Sequence, residues 1–314
     1  MHGERYRRVG IRAVWAASCA GDAGATWTAA VAGRSALVRD PVDGWIGRTP
    51  GDLPGLALAA ARPHLSTDLA TAVSASASKP DLDRLPVFQP WDWWARSGGG
   101  ALAALGLDSG VCLPVAAACS TGLYGLLAVA DRLEHGLCDQ GAALAWDRPL
   151  APILRAAYAT LGVACGPVHP GPFPETTGFA PAEGAAALVL APDGPWRLAG
   201  GIRLGDAGHA TAFADPRTLA LALEALDRAL PEPDLIVLHA TGTAQGDAYE
   251  AAVLDASPWA GTRRVACKPA IGHTLGASGL VELAAAMQDP AARRIWKLGM
   301  GFGGHLACVA VARE

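Results

Sequence analysis

The chain of 314 residues has few charged and few aromatic side chains, at 17% and 6% of the total. Its 25 basic residues are scattered without any Lys/Arg run, and the formal net charge is −4. Nucleic-acid-binding domains carry a basic patch or stripe, so this composition argues against a nucleic-acid partner. With 51% hydrophobic residues, the chain can bury a large core in one large domain or two closely packed ones.

The sequence also lacks paired cysteine motifs. Its seven cysteines form an odd set with no CxxC pair and no Cys and His spacing typical of zinc sites. This argues against a disulfide framework and a structural metal, and it favours a reducing compartment such as the cytoplasm.

No long hydrophobic run is present. The apolar stretch at 9–21 is interrupted by Arg12 and is too short for a signal peptide or a membrane span. We therefore expect it to be the first core strand, and we expect no membrane contact.

The rest of the chain alternates between short apolar runs and segments with helical spacing, which indicates an α/β protein. The runs at 71–78 and 235–238 predict strands, and the run at 179–190 predicts a turn followed by a buried strand. The amphipathic pattern of 219–230 predicts a helix. Residues 40–70, rich in Pro, Gly and Asp, predict loops with one short helix.

Residues 111–127 have the pattern of a strand, a sharp turn and a helix, and the turn carries Cys119. At a helix N-terminus, the backbone N–H groups and the helix dipole favour the thiolate, which is the reactive form of cysteine. A lone buried cysteine is more often a small apolar side chain. A catalytic role therefore requires other reactive groups near Cys119.

Later segments supply such groups. The strand at 235–238 leads into His239, a second short strand ends in Lys268, and His273 precedes a helix rich in Gly and Ala. Ligands of open α/β sheets bind at the carboxyl ends of strands. A cysteine hydrolase that uses Cys119 and one histidine remains an alternative, but it leaves the second histidine and Lys268 without a role.

Two other motif matches fail on their context. Residues 299–304 fit the letters of the GxGxxG dinucleotide fingerprint, but a strand pattern follows them where a helix is required. Residues 276–279 (GASG) lack the spacing of the GxSxG nucleophile elbow, so a serine hydrolase has no support.

Four segments, in order along the chain, resemble the motifs of the decarboxylating, elongating β-ketoacyl-acyl carrier protein synthases, which have the thiolase fold. They are 118–122 (ACSTG, nucleophile), 239–243 (HATGT, first histidine), 268–277 (KPAIGHTLGA, lysine and second histidine) and 301–304 (GFGG, glycine loop). The Cys-His-His set separates this class from the Cys-His-Asn and Cys-His-Cys branches of the fold. The resemblance implies two similar βαβ halves, residues 1–195 and 196–314, in α/β/α/β/α layers.

The resemblance also implies the catalytic residues. Cys119 would hold the acyl group as a thioester. His239 and His273 would stabilise the enolate that forms when a malonyl thioester loses CO₂. Lys268 would pair with Glu250 and organise the histidines.

By the same resemblance, four residues would contact the substrate: Thr241, Thr243, Phe302 and Gly303. The two threonines would hydrogen-bond the phosphopantetheine arm, and Phe302 would gate the acyl pocket. The backbone N–H groups of Cys119 and Phe302 would form an oxyanion hole for acyl transfer.

The resemblance implies no cofactor, because the substrates arrive on the phosphopantetheine of an acyl carrier protein, which is the expected partner. The cluster WDWW at 91–94 is typical of a subunit interface. We therefore expect a homodimer, or a heterodimer with a second ketosynthase-like chain.

The chain also departs from the family. It is shorter than most members, with losses within 35–95 and 287–297, and His305-Leu306 follows the glycine loop where most members have Thr-Asn. Two alternatives to condensation remain. One is an acyltransferase that uses the same cysteine without decarboxylation, and the other is a partner subunit like the chain-length factors, which commonly lose the nucleophile that Cys119 represents here.

Overall fold

The computed structural model describes residues 3–42, 44–78, 100–107, 109–171 and 174–314. The strands of these residues are β1 (Glu4–Arg5), β2 (Gly10–Ser18), β3 (Gly21–Asp22), β4 (Val38–Asp40), β5 (Gly44–Ile46), β6 (Thr71–Ser76), β7 (Val111–Cys112), β8 (Gln140–Asp147), β9 (Gly184–Ala191), β10 (Trp196–Gly205), β11 (Leu235–Val237), β12 (Arg264–Val265), β13 (Arg294–Gly301) and β14 (His305–Arg313). The helices are α1 (Ala23–Val31), α2 (Leu53–Ala61), α3 (Thr121–Glu134), α4 (Pro152–Thr160), α5 (Pro216–Ala229), α6 (Ala244–Asp255), α7 (Lys268–Ile271) and α8 (Ser278–Ala286), and residues 100–104 are also helical.

The main sheet has twelve strands, and ten of them form two five-stranded halves with the same topology, while β1 pairs with β10 and β3 with β2. Its order is β12-β11-β13-β14-β10-β2-β9-β8-β6-β7, so in each half the strands, counted along the chain, lie in the order 3-2-4-5-1. In each half the second strand pairs in parallel with its two neighbours, and the remaining pairs are antiparallel. The halves join through β10 and β2, and the chain passes from one half to the other between Ala191 and Trp196.

Two helices, α3 and α8, lie between the halves. Helix α3 contacts β6 and β8 of the first half and β14 of the second, while α8 contacts β2 and β9 of the first and β13 of the second. Helix α2 covers the outer face of the first half, and α5 covers that of the second. These contacts give the α/β/α/β/α layers that the sequence predicted.

The central layer packs closely because α8 is built almost entirely from small and apolar residues. All nine residues of α8 are buried. A Cβ atom at Gly279 would lie 2.5 Å from the Leu123 side chain of α3, so only glycine permits this approach. Each fully buried leucine of this layer contributes about 1.5–3 kcal/mol of burial free energy. The two central helices thus fix the halves against each other.

Most predicted elements are confirmed, including the first core strand as β2 and the helix at 219–230 as α5. The strand predicted at the start of residues 111–127 spans only Val111–Cys112 and does not continue to the turn, since Pro114 has no N–H for a strand ladder. The strand expected to end at Lys268 instead ends at Val265, and Pro269 helps α7 to start at Lys268.

The loop region at 40–70 also contains the hairpin β4–β5, which was not predicted, and α2 begins at Leu53. The aromatic cluster at 91–94 lies outside the described residues. Within the described part of the chain, no helix combines the length and the apolar character that a membrane crossing requires.

Candidate active site

Cys119 lies in a tight turn between β7 and α3. The turn is a short 3-10 helix, Ala118–Ser120, and Ala118 has a φ of +47°, a conformation that non-glycine residues rarely adopt. The Thr121 hydroxyl fixes the turn, since it accepts from the Ala117 N–H at 2.9 Å and donates to the Ala118 carbonyl at 2.7 Å. This strained geometry presents the thiol at the start of α3, as the sequence predicted.

Burial raises the pKa of each of the other six cysteines. The pKa rises to about 11 for Cys19 and Cys165 and to about 12 for Cys267 and Cys308. Cys112 and Cys138 are shifted in the same direction, again mainly by burial. These thiols are therefore poor nucleophiles near neutral pH.

His239 follows β11, and its peptide group is held from both sides. Its N–H donates to Glu250 Oε1 at 2.7 Å, and its carbonyl accepts from Lys268 Nζ at 2.5 Å. The second oxygen of Glu250 accepts from the N–H of Ala240 at 2.8 Å, where φ is +38°. The two side chains thus fix the backbone that carries the imidazole.

The expected Lys268–Glu250 ion pair is wrong. Lys268 pairs instead with Glu282 of α8, at 2.7 Å, because Glu250 uses its two oxygens on backbone N–H groups. Lys297 of β13 binds the other oxygen of Glu282, also at 2.7 Å.

Glu282 and its two lysines form a buried charged triad. Their side chains are at most 2% exposed. Lys297 Nζ also donates to the Leu238 carbonyl at 2.9 Å, one residue before His239. Burial lowers the pKa of Lys297, and the carboxylate of Glu282 opposes that shift. The two lysines of the triad therefore hydrogen-bond two successive carbonyls, those of Leu238 and His239.

His273 is fixed by the segment that follows Phe179. Its N–H donates to the Ala180 carbonyl at 2.8 Å, and its carbonyl accepts from the Ala182 N–H at 3.1 Å. Gly272 makes this possible, since its φ is +74° and a Cβ there would lie 2.7 Å from the Ala180 carbonyl oxygen. The second histidine is thus held by a β-bridge instead of by ion pairs.

The two imidazole rings lie edge to face, with centroids 5.8 Å apart and planes at 85°. Burial lowers the pKa of both well below the usual range, and the positive charge of Lys268 lowers it further. Both rings are therefore neutral near neutral pH, with one N–H each. Neither ring nitrogen of His273 has a hydrogen-bond partner among the described residues. The pair can donate hydrogen bonds to an oxygen atom between them.

The glycine loop closes the site between β13 and β14. A Cβ at Gly301 would lie 2.8 Å from the Ala117 carbonyl and 3.1 Å from the Cys119 nitrogen. Gly303 has a φ of +81° and donates to the Ala210 carbonyl at 2.7 Å. His305 anchors the loop through its carbonyl, which accepts from the Ser120 hydroxyl at 3.0 Å.

One cavity of about 80 Å³ brings most of the predicted residues together. The predicted residues in its wall are Cys119, His239, His273, Thr241, Thr243 and Phe302. Lys268 and Glu250 lie behind the histidines and act on the backbone, and Gly303 lies in the adjoining turn. Across the part of the chain that the structure describes, no group of three or more His, Cys, Asp or Glu residues is arranged to hold a metal.

The site residues that sequence reasoning missed include Tyr158, Phe179, Glu282 and Lys297. Tyr158 and Phe179 line the cavity and contact each other edge to face, with centroids 5.2 Å apart. The signal for Glu282 and Lys297 was a single charge inside an otherwise apolar helix or strand. A buried charge needs a partner, so these two isolated opposite charges could have been paired.

We predict that Glu282→Gln lowers the free energy of unfolding by about 3–5 kcal/mol, because it leaves two buried ammonium groups without a carboxylate. Urea denaturation measures the loss. Asp193→Asn is the control, because it breaks the exposed ion pair with Arg12 and should leave the urea midpoint near that of the wild type. Adding Lys297→Met to Glu282→Gln should recover part of the stability, and a double variant less stable than Glu282→Gln would contradict this account.

A second prediction concerns acid. In the unfolded chain both histidines titrate near ~6.5, whereas in the folded chain they stay neutral to lower pH. Below pH ~6.5 the unfolded state binds more protons than the folded state. The free energy of unfolding therefore decreases as the pH is lowered, by up to ~1.4 kcal/mol per pH unit for each histidine. The loss continues until the pH reaches the lowered pKa of the folded state.

Urea midpoints measured between roughly pH 7 and pH 5.5 test this acid sensitivity. His273→Asn should flatten the dependence by the share of one histidine. His64→Asn, at an exposed position, is the matched control and should keep the wild-type slope. An unchanged slope in His273→Asn would show that this histidine is not buried in its neutral form.

Comparison with known proteins agrees with this geometry. Residues 100–194 match the model of the β-ketoacyl synthase N-terminal domain, and residues 203–291 match that of its C-terminal domain. A putative β-ketoacyl synthase 1 of actinorhodin polyketide from Streptomyces coelicolor is 34% identical over 206 residues, which are 58% of this chain and 44% of the relative. A putative polyketide β-ketoacyl synthase 1 of Streptomyces cyaneus is 31% identical over 194 residues, 54% of this chain and 46% of the relative. The chain thus spans less than half of these curated relatives.

Solved structures share the whole fold. A type II polyketide acyl carrier protein in complex with its ketosynthase contains a chain with a TM-score of 0.85 at 18% identity, matched over 99% of this chain and 100% of that one. A chain of the ishigamide ketosynthase/chain length factor has a TM-score of 0.81 at 20% identity, over 98% of this chain and 100% of that one. Both matches extend over nearly the whole of this chain and show the same fold. Since the two family models together match more than half of its residues, the chain belongs to the β-ketoacyl synthase family and has the thiolase fold.

Proposed function

We propose that this protein is a ketosynthase that joins an acyl group held on Cys119 to a malonyl unit on an acyl carrier protein, with loss of CO₂. One observation carries the proposal: a thiol at a helix start and two buried, neutral imidazoles line the same cavity. A Cys–His hydrolase needs one basic imidazole next to the thiol. Two neutral imidazoles fit the stabilisation of a developing oxyanion better.

The first step is acylation of Cys119. The thiolate attacks the carbonyl carbon of an acyl thioester, a bond forms between Sγ and that carbon, and the bond to the donor sulfur breaks. The donor leaves as a thiol, with the proton that Cys119 gave up. The N–H groups of Cys119 and Phe302 would stabilise the oxyanion, since the glycine loop and the nucleophile turn lie against each other.

The second step is condensation. The malonyl thioester loses CO₂, and the electron pair of the broken bond forms an enolate whose oxygen lies between His239 and His273. The N–H groups of these imidazoles donate to that oxygen without a proton having to leave either ring. The enolate carbon then attacks the acyl carbon on Cys119, the Sγ–carbon bond breaks, and the β-ketoacyl product remains on the carrier protein.

The substrate arm would enter along Thr241 and Thr243. Both line the cavity, and their hydroxyl oxygens are 3.0 Å apart. This pair can donate to and accept from the amides of phosphopantetheine. We propose that the site uses no cofactor of its own, because the substrates would arrive on that arm. Phe302, which also lines the cavity, would gate the acyl pocket.

The partners we propose are an acyl carrier protein and a second ketosynthase-like subunit. Among the similar structures, one is described as a ketosynthase with its acyl carrier protein, and another as a ketosynthase in complex with its chain length factor from Xenorhabdus doucetiae. A homodimer is the alternative assembly. We place the protein in the cytoplasm, where its seven cysteines would stay reduced.

Condensation has two alternatives. An acyltransferase would use Cys119 and pass the acyl group to an amine or alcohol without decarboxylation. A chain-length-factor-like subunit would have no reaction of its own. The second histidine lines the cavity, and its ring nitrogens have no hydrogen-bond partner in the described part of the chain, which favours the condensing enzyme over both.

The test is mass spectrometry of the protein with an acyl and a malonyl thioester of an acyl carrier protein. We expect an acyl adduct on the peptide that contains Cys119, and a β-ketoacyl carrier protein as the product. Cys119→Ala should lose both while its circular dichroism spectrum stays that of the wild type. Adduct without a β-ketoacyl product would favour the acyltransferase, and no adduct at all would favour the partner subunit.

The histidine variants divide the two steps. His239→Ala and His273→Ala should still form acyl-enzyme but lose decarboxylation by roughly a hundredfold or more, the usual effect of removing an oxyanion donor. Acyl-enzyme should therefore accumulate in both. Equal losses of acylation and decarboxylation would instead indicate a Cys–His pair of the hydrolase type.

Light scattering tests the assembly. We expect the purified protein to form a dimer, with itself or with a ketosynthase-like subunit added to it, because the thiolase fold places segments of one subunit beside the active site of the other. A monomer that needs a second subunit for condensation supports the heterodimer. A monomer that condenses alone contradicts both assemblies.

A further inference from the structure

Two tyrosines line the cavity, and they differ in how their hydroxyls are bonded. The Tyr249 hydroxyl donates to the Asp215 carbonyl at 2.8 Å and accepts from the Leu219 N–H at 3.3 Å. The Tyr158 hydroxyl has no hydrogen-bond partner among the described residues, although the residue is only 5% exposed. An unpaired buried hydroxyl destabilises a fold, so such a group calls for an explanation.

Tyr158 lies in the apolar part of the site. It belongs to α4 and packs in a cluster with Leu154, Phe179 and Leu275, and Cys119 packs against the same cluster. The acyl group on Cys119 would therefore extend along this cluster. Burial raises the pKa of Tyr158, so its hydroxyl stays protonated and can donate a hydrogen bond.

The size of the cavity limits the acyl group. Its volume of about 80 Å³ is well below the ~150 Å³ of an engineered cavity that binds one benzene molecule. The side chains of Tyr158, Phe179 and Leu275 are 3–5% exposed and contribute to its wall. A short acyl group fits this space without rearrangement.

We propose that the acyl group received by Cys119 is short and carries an oxygen atom beyond its thioester carbonyl, and that the Tyr158 hydroxyl donates a hydrogen bond to that oxygen. This inference rests on the proposed ketosynthase function. A saturated acyl chain would fill the same space but would leave the Tyr158 hydroxyl unpaired. Tyr158 thus determines specificity and transfers no proton in the reaction.

The test compares matched acyl donors in the acylation step alone. Pantetheine thioesters of butanoate and acetoacetate, and of pentanoate and levulinate, differ within each pair by one oxygen. Intact-protein mass spectrometry follows the rate at which each intact acyl group appears on Cys119. The two donors of a pair differ in intrinsic reactivity, so the measure is the oxo-to-saturated rate ratio in the wild type divided by that in Tyr158→Phe.

In at least one pair we expect this ratio to be about tenfold larger in the wild type than in Tyr158→Phe, the effect of one hydrogen bond plus an unpaired hydroxyl. Tyr249→Phe is the matched control. It removes a hydroxyl that the protein itself pairs, so the oxo-to-saturated ratio should stay that of the wild type whatever the overall rate. The melting temperature of Tyr158→Phe should equal or exceed that of the wild type, because no protein hydrogen bond is lost.

Three results would overturn the inference. Equal ratios in the wild type and Tyr158→Phe for both pairs would remove the proposed hydrogen bond to substrate. A lower melting temperature of Tyr158→Phe would mean that the hydroxyl has a structural partner. Absence of any adduct from all four thioesters would contradict the ketosynthase function itself, and the inference with it, whereas adducts with equal ratios leave that function standing.

Discussion

The carboxylate of Glu282, buried between two lysines, is the interaction on which the geometry of the site depends. Transfer of these charges out of water costs several kcal/mol for each ion, and good geometry with additional hydrogen bonds must offset that cost. Here the extra hydrogen bonds run to the carbonyls of Leu238 and His239. The triad joins α7, α8 and β13 to the end of β11, so the fold and the position of the first histidine are stabilised by the same contacts.

Backbone strain and glycine contacts complete this arrangement at the reacting atoms. Ala118 directly precedes Cys119, and Ala240 directly follows His239. Both alanines adopt positive φ angles. Such conformations cost of order 1–3 kcal/mol each and persist where surrounding contacts enforce them. The contacts are the Thr121 hydroxyl at one turn and the Glu250 carboxylate at the other. The stability of the surrounding structure thus maintains the strained backbone conformations beside Cys119 and His239.

The sequence predicted the parts of this site that depend on local pattern. Cys119, His239 and His273 follow local sequence patterns of strands or turns, and these patterns can be recognised without knowledge of the tertiary structure. The partner of Lys268 could not be predicted in this way, because Glu250 and Glu282 are both near in sequence and only the packing of α8 decides between them. The same limit applies to Tyr158, because only the three-dimensional structure shows that its hydroxyl has no hydrogen-bond partner among the described residues. The repeated strand order of the two halves also could not be predicted from local pattern, since no internal repeat is evident in the amino-acid sequence.

The charges behind the histidines also bear on the proposed chemistry. Two lysines share one carboxylate, so with both protonated the triad leaves a net positive charge behind the two rings. Burial, together with that charge, lowers the pKa of both imidazoles, so they remain hydrogen-bond donors without becoming cations. The same field favours an anion in front of the rings, where an enolate would form. A positive charge carried by the imidazoles themselves could be lost as a proton to the enolate. A charge on lysines behind the rings would stabilise the enolate while the protons stay on the imidazoles and the lysines.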